Sequence, residues 1–309
     1  MCKIKIATDS TADIPKKLCE KWNISVLPLT IIHEDNEYRD GIDISKENFY
    51  QILETAQKLP TSSQVTVNMY TELFNRCRED GYTDLIQVTL NSKGSGTYHA
   101  AELAKALFFE SHPEAREKFR IHIIDSKTYS MAYGLPVIEA AQMIDSGANV
   151  QEVIDHIEEW LVHTRPLFVP LNLKCVKKSG RISPAAAFVG DVMGLKPLIT
   201  FEDGEAKIIG KARGDNKAIS SLVERCKSER KPGTNYVLVY GNNAEAFEKL
   251  KKACAEALEI PPLVEYQVGC VIGIAPHIPP HVLKPLAPHI SPHVFEIIGT
   301  PYFAPSFTP

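Results

Sequence analysis

Apolar runs of five or six residues, each followed by a polar loop and then a helical repeat, alternate along the first half of the chain. The stretch from Lys3 to Ala7 alternates as a short strand and gives way to Thr8-Asp9-Ser10-Thr11-Ala12-Asp13. Asp13 is placed there to cap a helix that carries Pro15 in its first turn. Leu85-Ile86-Gln87-Val88-Thr89-Leu90 leads through a second loop to a helix from His99 to Phe109. Ile121 to Ile124 is followed by a third loop, Asp125-Ser126-Lys127-Thr128-Tyr129-Ser130. Three such units predict an α/β fold with a parallel sheet and helices on both faces.

The second half keeps the alternation but changes its spacing. Asn149, with Glu152 three residues on, forms a capping box for a helix whose apolar side is Val150, Val153, Ile154, Ile157, Trp160 and Leu161. Its end at Thr164-Arg165-Pro166 marks a domain boundary, giving an N-terminal domain over 1–164. Leu167 to Leu171, Leu195 to Thr200, Ala206 to Gly210 and Tyr236 to Tyr240 read as strands. Asn216 to Ser228 and Ala244 to Leu258 read as helices, so residues 165–274 form a second α/β domain with a more mixed sheet. The tail, 275–309, carries nine of the 21 prolines and four of the ten histidines. Prolines this dense predict an extended, poorly packed segment without a regular helix or a central strand.

Two short hydroxyl-rich loops bring chemistry into this frame. One is Thr61-Ser62-Ser63-Gln64; the other is Asn91-Ser92-Lys93-Gly94-Ser95-Gly96-Thr97-Tyr98 between strand and helix. A strand, a small-residue loop and a helix start present free N–H groups and the positive end of a helix dipole. With Ser and Thr hydroxyls added, the place suits a carboxylate or a phosphate. A net charge of −4 and the lack of a basic stripe exclude a broad nucleic-acid footprint. No apolar stretch reaches transmembrane length, which leaves no stable membrane insertion and at most transient membrane contact. Seven scattered cysteines without a C-x-x-C pair, and no signal-like N-terminus, point to reduced thiols in the cytoplasm.

Thr8-Asp9-Ser10-Thr11, Pro60-Thr61-Ser62-Ser63-Gln64, Ser92 with Ser95-Gly96-Thr97-Tyr98, and Asp125-Ser126-Lys127 together resemble the DegV family of bacterial fatty-acid-binding proteins. Lys177-Lys178-Ser179-Gly180-Arg181-Ile182-Ser183, Lys196-Pro197-Leu198-Ile199 and Lys211 with Arg213 extend the likeness, in order, to about residue 274. The resemblance implies a two-domain carrier, not an enzyme, that holds one long-chain fatty acid such as palmitate, stearate or oleate between its domains. No other cofactor is implied. It implies a separate fatty acid kinase as partner, which converts the presented carboxyl group to an acyl phosphate. Thr61, Ser62, Ser63, Ser92, Ser95, Gly96, Thr97 and Arg181 then become the ligand-binding residues, with Arg213 as a second contact or docking residue. Where the family carries a His after its last matched strand this chain has Ala275, leaving His277 as the substitute contact; Asn91 likewise stands where the family has Ser.

The energetics match such a division of labour. Burial is worth about 0.8 kcal/mol per methylene, so a sixteen-carbon chain supplies roughly 11 kcal/mol before ordering costs. Hydrogen bonds to the head group add about 1.5–3 kcal/mol each when charged and set its orientation. Other readings remain open at this level. Asp9 and Asp125 could meet Mg²⁺, but capping and loop pinning is the preferred role. The tail His pairs His277/His281 and His289/His293 are spaced for metal only on a helix that the prolines block. Ser95 with His99 or His122 would make an acyl-transfer enzyme, although no G-x-S-x-G elbow is present. A DegV-like protein whose replaced C-terminus impairs lipid binding is the remaining alternative.

Overall fold

The computed structural model describes residues 3–56, 60–170, 194–231, 234–241, 243–270 and 294–299. The chain divides into two units: residues 1–48, 60–161 and 269–272 form one, and residues 49–59, 162–268 and 273–309 the other.

The first unit is built on β1 (Ile4–Asp9), β2 (Ser25–Leu27), β6 (Asp84–Thr89) and β7 (Arg120–Asp125), all parallel, in the order β2-β1-β6-β7. Every residue of β6 is buried, which is why its sequence reads as a continuous apolar run broken only by Gln87 and the terminal Asp84 and Thr89. Helix α1 (Lys16–Lys21) connects β1 to β2 and α2 (Lys46–Thr55) comes next in the chain, while α3 (Val67–Glu79) precedes β6 and α4 (Thr97–Ser111) joins β6 to β7. The chain thus steps one way from β1 to β2 and the other way through β6 to β7. Right-handed crossovers then place helices on both faces of the sheet. Thr66 caps α3 by accepting from Met69 N, and α3 packs on α4. A second, antiparallel sheet of order β4-β3-β5 is formed by β3 (Thr30–His33), β4 (Asn36–Arg39) and β5 (Thr61–Ser63).

Helix α5 (Met131–Asp145) follows β7 and packs against β1. It lies so close to the 3-10 turn Ser10–Ala12 that a Cβ on Gly134 would collide with the backbone carbonyl of Ala12. Backbone cannot yield as a flexible side chain can, so Gly134→Ala is expected to cost about 1–3 kcal/mol. A urea midpoint equal to wild type would show that the contact relaxes freely. The capping box at α6 (Val150–His163) is as read from the sequence. Asn149 Oδ1 accepts from Gln151 N and Glu152 N, and Glu152 returns the bond to Asn149 N at 2.8 Å.

The second unit carries a six-stranded mixed sheet, order β10-β9-β8-β13-β11-β12. Its strands are β8 (Arg165–Pro170), β9 (Leu195–Glu202), β10 (Glu205–Arg213), β11 (Tyr236–Tyr240), β12 (Val264–Gln267) and β13 (Val294–Gly299). Asp203 and Gly204, both at positive φ, make the two-residue turn between β9 and β10. Helices α7 (Asp215–Glu229) and α8 (Ala244–Ala257) pack together. Ile219, Leu222, Val223 and Cys226 join Phe247, Leu250 and Cys254 in one core with Leu167, Val169 and Leu238 of the sheet. All five described cysteines are free thiols, four of them buried.

Strand β13 corrects the expectation that the tail lacks a central strand. It pairs antiparallel with both β8 and β11, in the middle of the sheet. The reason is local: Val294-Phe295-Glu296-Ile297-Ile298-Gly299 contains no proline, so every residue can donate to a ladder.

Candidate functional site

In the first sheet the chain changes direction between β1 and β6. In open α/β sheets ligands gather outside the carboxyl ends of the strands at such a switch point. Asp9, at the end of β1, ties the two loops together. Its Oδ1 accepts from Thr11 N at 3.0 Å, Thr11 Oγ1 at 2.5 Å and Tyr133 OH at 2.8 Å, and its Oδ2 accepts from Leu90 N at 2.8 Å. The carboxyl group is wholly buried, and desolvation raises its pKa against the pull of these bonds.

The loop after β6 is held from its other side by the loop after β7. Asp125 accepts from Ser92 N at 3.0 Å, from Ser92 Oγ at 2.5 Å and from Lys127 N at 3.0 Å. Asn91 N donates to Thr128 O at 3.1 Å and Asn91 Nδ2 to Tyr129 OH at 3.0 Å. Further on, Ser95 Oγ accepts from Thr97 N at 3.3 Å and shares a hydroxyl bond with Thr97 Oγ1 at 3.0 Å, replacing a side-chain cap at Gly96. Gly96 itself lies against Gln64: a Cβ there would run into the Gln64 carboxamide, with Cδ at 2.8 Å. The two hydroxyl-rich motifs therefore meet within one unit, Gln64 to Gly96. Ser92, Ser95 and Ser62 are half-buried, Thr61 and Ser63 are exposed and Thr97 is buried.

Thr61 to Ser63 is not a loop as read from the sequence. It is strand β5, paired with β3 through Thr30↔Ser63, Ile31↔Ser62 and Ile32↔Thr61. A run of three hydroxyl residues carries no apolar alternation, and the buried apolar partner comes from β3, where Ile31 is 1% exposed. Asp13 is a second correction. Pro15, without a side-chain bond, stands at the start of α1, while Asp13 sits at φ 58° and accepts from Ser130 Oγ at 2.5 Å and Gly269 N at 2.8 Å. Burial pushes its carboxyl up to about 7. Asp40 is buried beside it and raised for the same reason, with Ser10 and Cys270 bonded to it.

The other residues expected at the site lie elsewhere. Arg213 is exposed at the end of β10, opposite Leu195, in the other unit. Lys196 is ion-paired with Asp215 at 3.2 Å. Arg181 and His277 fall outside the described residues. His122 Nε2 bonds Asp84 Oδ1 at 3.1 Å, at the amino end of β6 and thus away from Ser95, while His99 is exposed with its ring edge-on to Tyr98. Sequence reading missed Tyr133 as a ligand of Asp9 and Tyr129 as the brace of Asn91. Both partners are distant in the chain, and a buried tyrosine on an apolar helix gives no separate signal.

The family model described as "Uncharacterised protein, DegV family" matches residues 3–276. The chain belongs to the DegV family. A DegV domain-containing protein of Caldanaerobacter subterraneus subsp. tengcongensis is 34% identical over 279 residues, covering 88% of this chain and 95% of its own. A DegV lipid binding protein from Thermotoga maritima is similar in structure at 26% identity and a TM-score of 0.76, with 96% of this chain and 98% of its own covered. A second Thermotoga maritima protein, described as revealing fatty acid binding function, is 25% identical with a TM-score of 0.74, over 97% of this chain and all of its own. The matched range includes the hydroxyl-rich stretches on the β1, β6 and β7 loops and on β5.

Proposed function

We propose that this DegV protein is a non-covalent carrier of a long-chain fatty acid and presents the acid's carboxyl group to a separate fatty acid kinase for acyl phosphate synthesis. Family membership together with the lipid and fatty-acid binding of the two Thermotoga maritima relatives is the observation that carries the reading. The half-buried hydroxyls of Ser92 and Ser95, in the loop whose Gly96 lies against Gln64, support it as head-group ligands. Thr61, Ser62, Ser63, Gly96 and Thr97 complete the proposed head-group set, with Arg181, Arg213 and His277 as proposed contacts to the head group or the kinase. No described helix is long and apolar enough to cross a membrane, which accords with a carrier working in the cytoplasm.

Native mass spectrometry of the purified protein, followed by lipid extraction, tests the carrier reading. A stoichiometric fatty acid supports it. Protein mass alone, with no uptake of added palmitate, overturns it in favour of a chain whose altered C-terminus has lost the ligand. Acyl phosphate should form from ATP only when a fatty acid kinase is added; formation by this protein alone would make it an enzyme. Ser92→Ala combined with Ser95→Ala is expected to weaken palmitate binding on the order of tenfold or more. Unchanged affinity, with the fold intact by circular dichroism, would remove these residues from the site.

A further inference from the structure

A serine hydroxyl has one proton to donate and two lone pairs to offer. Ser92 has already committed its proton, since Oγ donates to Asp125 Oδ2 at 2.5 Å while its own N–H holds Asp125 Oδ1 at 3.0 Å. Lys127 N–H closes on the same Oδ1. This two-point grip fixes backbone and side chain together, so rotating the hydroxyl away breaks a charge-assisted bond. What Ser92 Oγ has left is lone pairs. An ionised carboxylate placed there would bring no proton to the contact and would face a second carboxylate behind it. A carboxylic acid brings the missing proton.

We propose, resting on the fatty-acid reading above, that Asp125 is a positioning residue that makes Ser92 a hydrogen-bond acceptor, so that the loop selects the ligand head group in its protonated form. Ser95 complements this arrangement. Its Oγ accepts from Thr97 N and shares a bond with Thr97 Oγ1 in which either hydroxyl can donate. In the proposed arrangement Thr97 Oγ1 is the donor, which leaves Ser95 its own proton for a carbonyl oxygen. One acceptor and one donor match the two edges of a carboxylic acid. The ionisable groups on the loops and helix start that carry the pair are Lys93, Tyr98, His99, Glu102, Asp125 and Lys127. Burial first, and then the charges of Glu102 and Asp125, push the Tyr98 phenol up, so it stays neutral. Both lysine side chains are exposed.

The test compares binding of hexadecanoic acid, hexadecanamide and hexadecane-1-sulfonate, delivered from cyclodextrin to the delipidated protein between pH 5.5 and 8.5. The amide has a donor and an acceptor but no titration, so the acid-to-amide affinity ratio cancels any pH response of the protein itself. That ratio is expected to fall about tenfold per pH unit above the pKa of the acid, with the permanently anionic sulfonate binding at least tenfold more weakly than the amide. In Asp125→Asn the Oδ1 acceptor is kept for the two N–H groups and the new amide donates to Ser92 Oγ, freeing the serine proton. The ratio should then lose its pH dependence and the sulfonate should gain. A wild-type ratio flat with pH, or sulfonate binding equal to the amide, overturns the proposal while leaving the carrier intact. Absence of binding by all three ligands would instead defeat the fatty-acid reading.

Discussion

Asp9→Ala is expected to lower stability by about 3–5 kcal/mol, since a buried hydrogen-bond network loses its shared acceptor. Four donors lose their acceptor at once: Thr11 N, Thr11 Oγ1, Tyr133 OH and Leu90 N. Two of these are backbone groups that cannot turn elsewhere, and each orphaned buried donor costs about 1–3 kcal/mol. Asp9→Asn should fall between the alanine variant and wild type. Its Oδ1 can keep three of the bonds, but its amide nitrogen would face the Leu90 N–H, donor against donor. The melting temperature of the alanine variant should drop on the order of 10 °C. Equal melting temperatures for the two variants would show that the Leu90 contact alone carries the effect.

The second large effect is a pH dependence with the opposite sign from that of a surface ion pair. Asp13 releases its proton near 3.8 when unfolded, whereas desolvation in the fold raises that value to about 7. Between these limits the folded state holds a proton that the unfolded state has lost. The resulting stability is fully present below about pH 4 and is lost as pH rises through 7. Asp9 and Asp40 are shifted the same way by burial and reinforce it. Exposed Asp43, paired with Arg39 and held at about 2, acts only at lower pH. Urea midpoints should therefore decline across pH 4.5–8, at a slope approaching 1.4 kcal/mol per pH unit for each group titrating. Asp13→Asn offers Oδ1 to Gly269 N and a donor to Ser130 Oγ without a charge to desolvate. It should flatten the decline and exceed wild type in stability at pH 8. A variant with the wild-type slope would place the titration in Asp9 or Asp40 instead.

Much of the fold is legible where the physics is local. The apolar runs of β1 and β6 announce strands buried on both faces, that of β7 a partly buried one, and Asn149 with Glu152 announces a helix start because both partners lie within one turn. The hydroxyls of Ser92 and Ser95 are visible because they sit between a strand and a helix. Asp13 is misread because its partners, Ser130 and Gly269, are 117 and 256 residues away. A short acid before Pro15 looks like a cap until those partners are known. Strand β5 is hidden for a similar reason, since its pairing is with β3 and its own side chains are all hydroxyls. The direction of the Ser92 hydroxyl is beyond any reading of the loop alone, because Asp125 on the neighbouring strand decides it.

The central place of β13 has a consequence for how the protein is made. Strands β8 and β11 do not pair with each other; both pair with a strand that begins at Val294, more than fifty residues after Tyr240. While the chain is still emerging from the ribosome, β8 and β11 each present an open edge of unpaired N–H and C=O groups. Closing that gap requires a long-range pairing, the slowest kind, so the second unit completes only when almost all of the chain is free. A stop codon between residues 273 and 293 would leave two half-sheets, β10-β9-β8 and β11-β12, with facing sticky edges. Such a product would be insoluble and a substrate for proteases, even with the whole of the first unit translated.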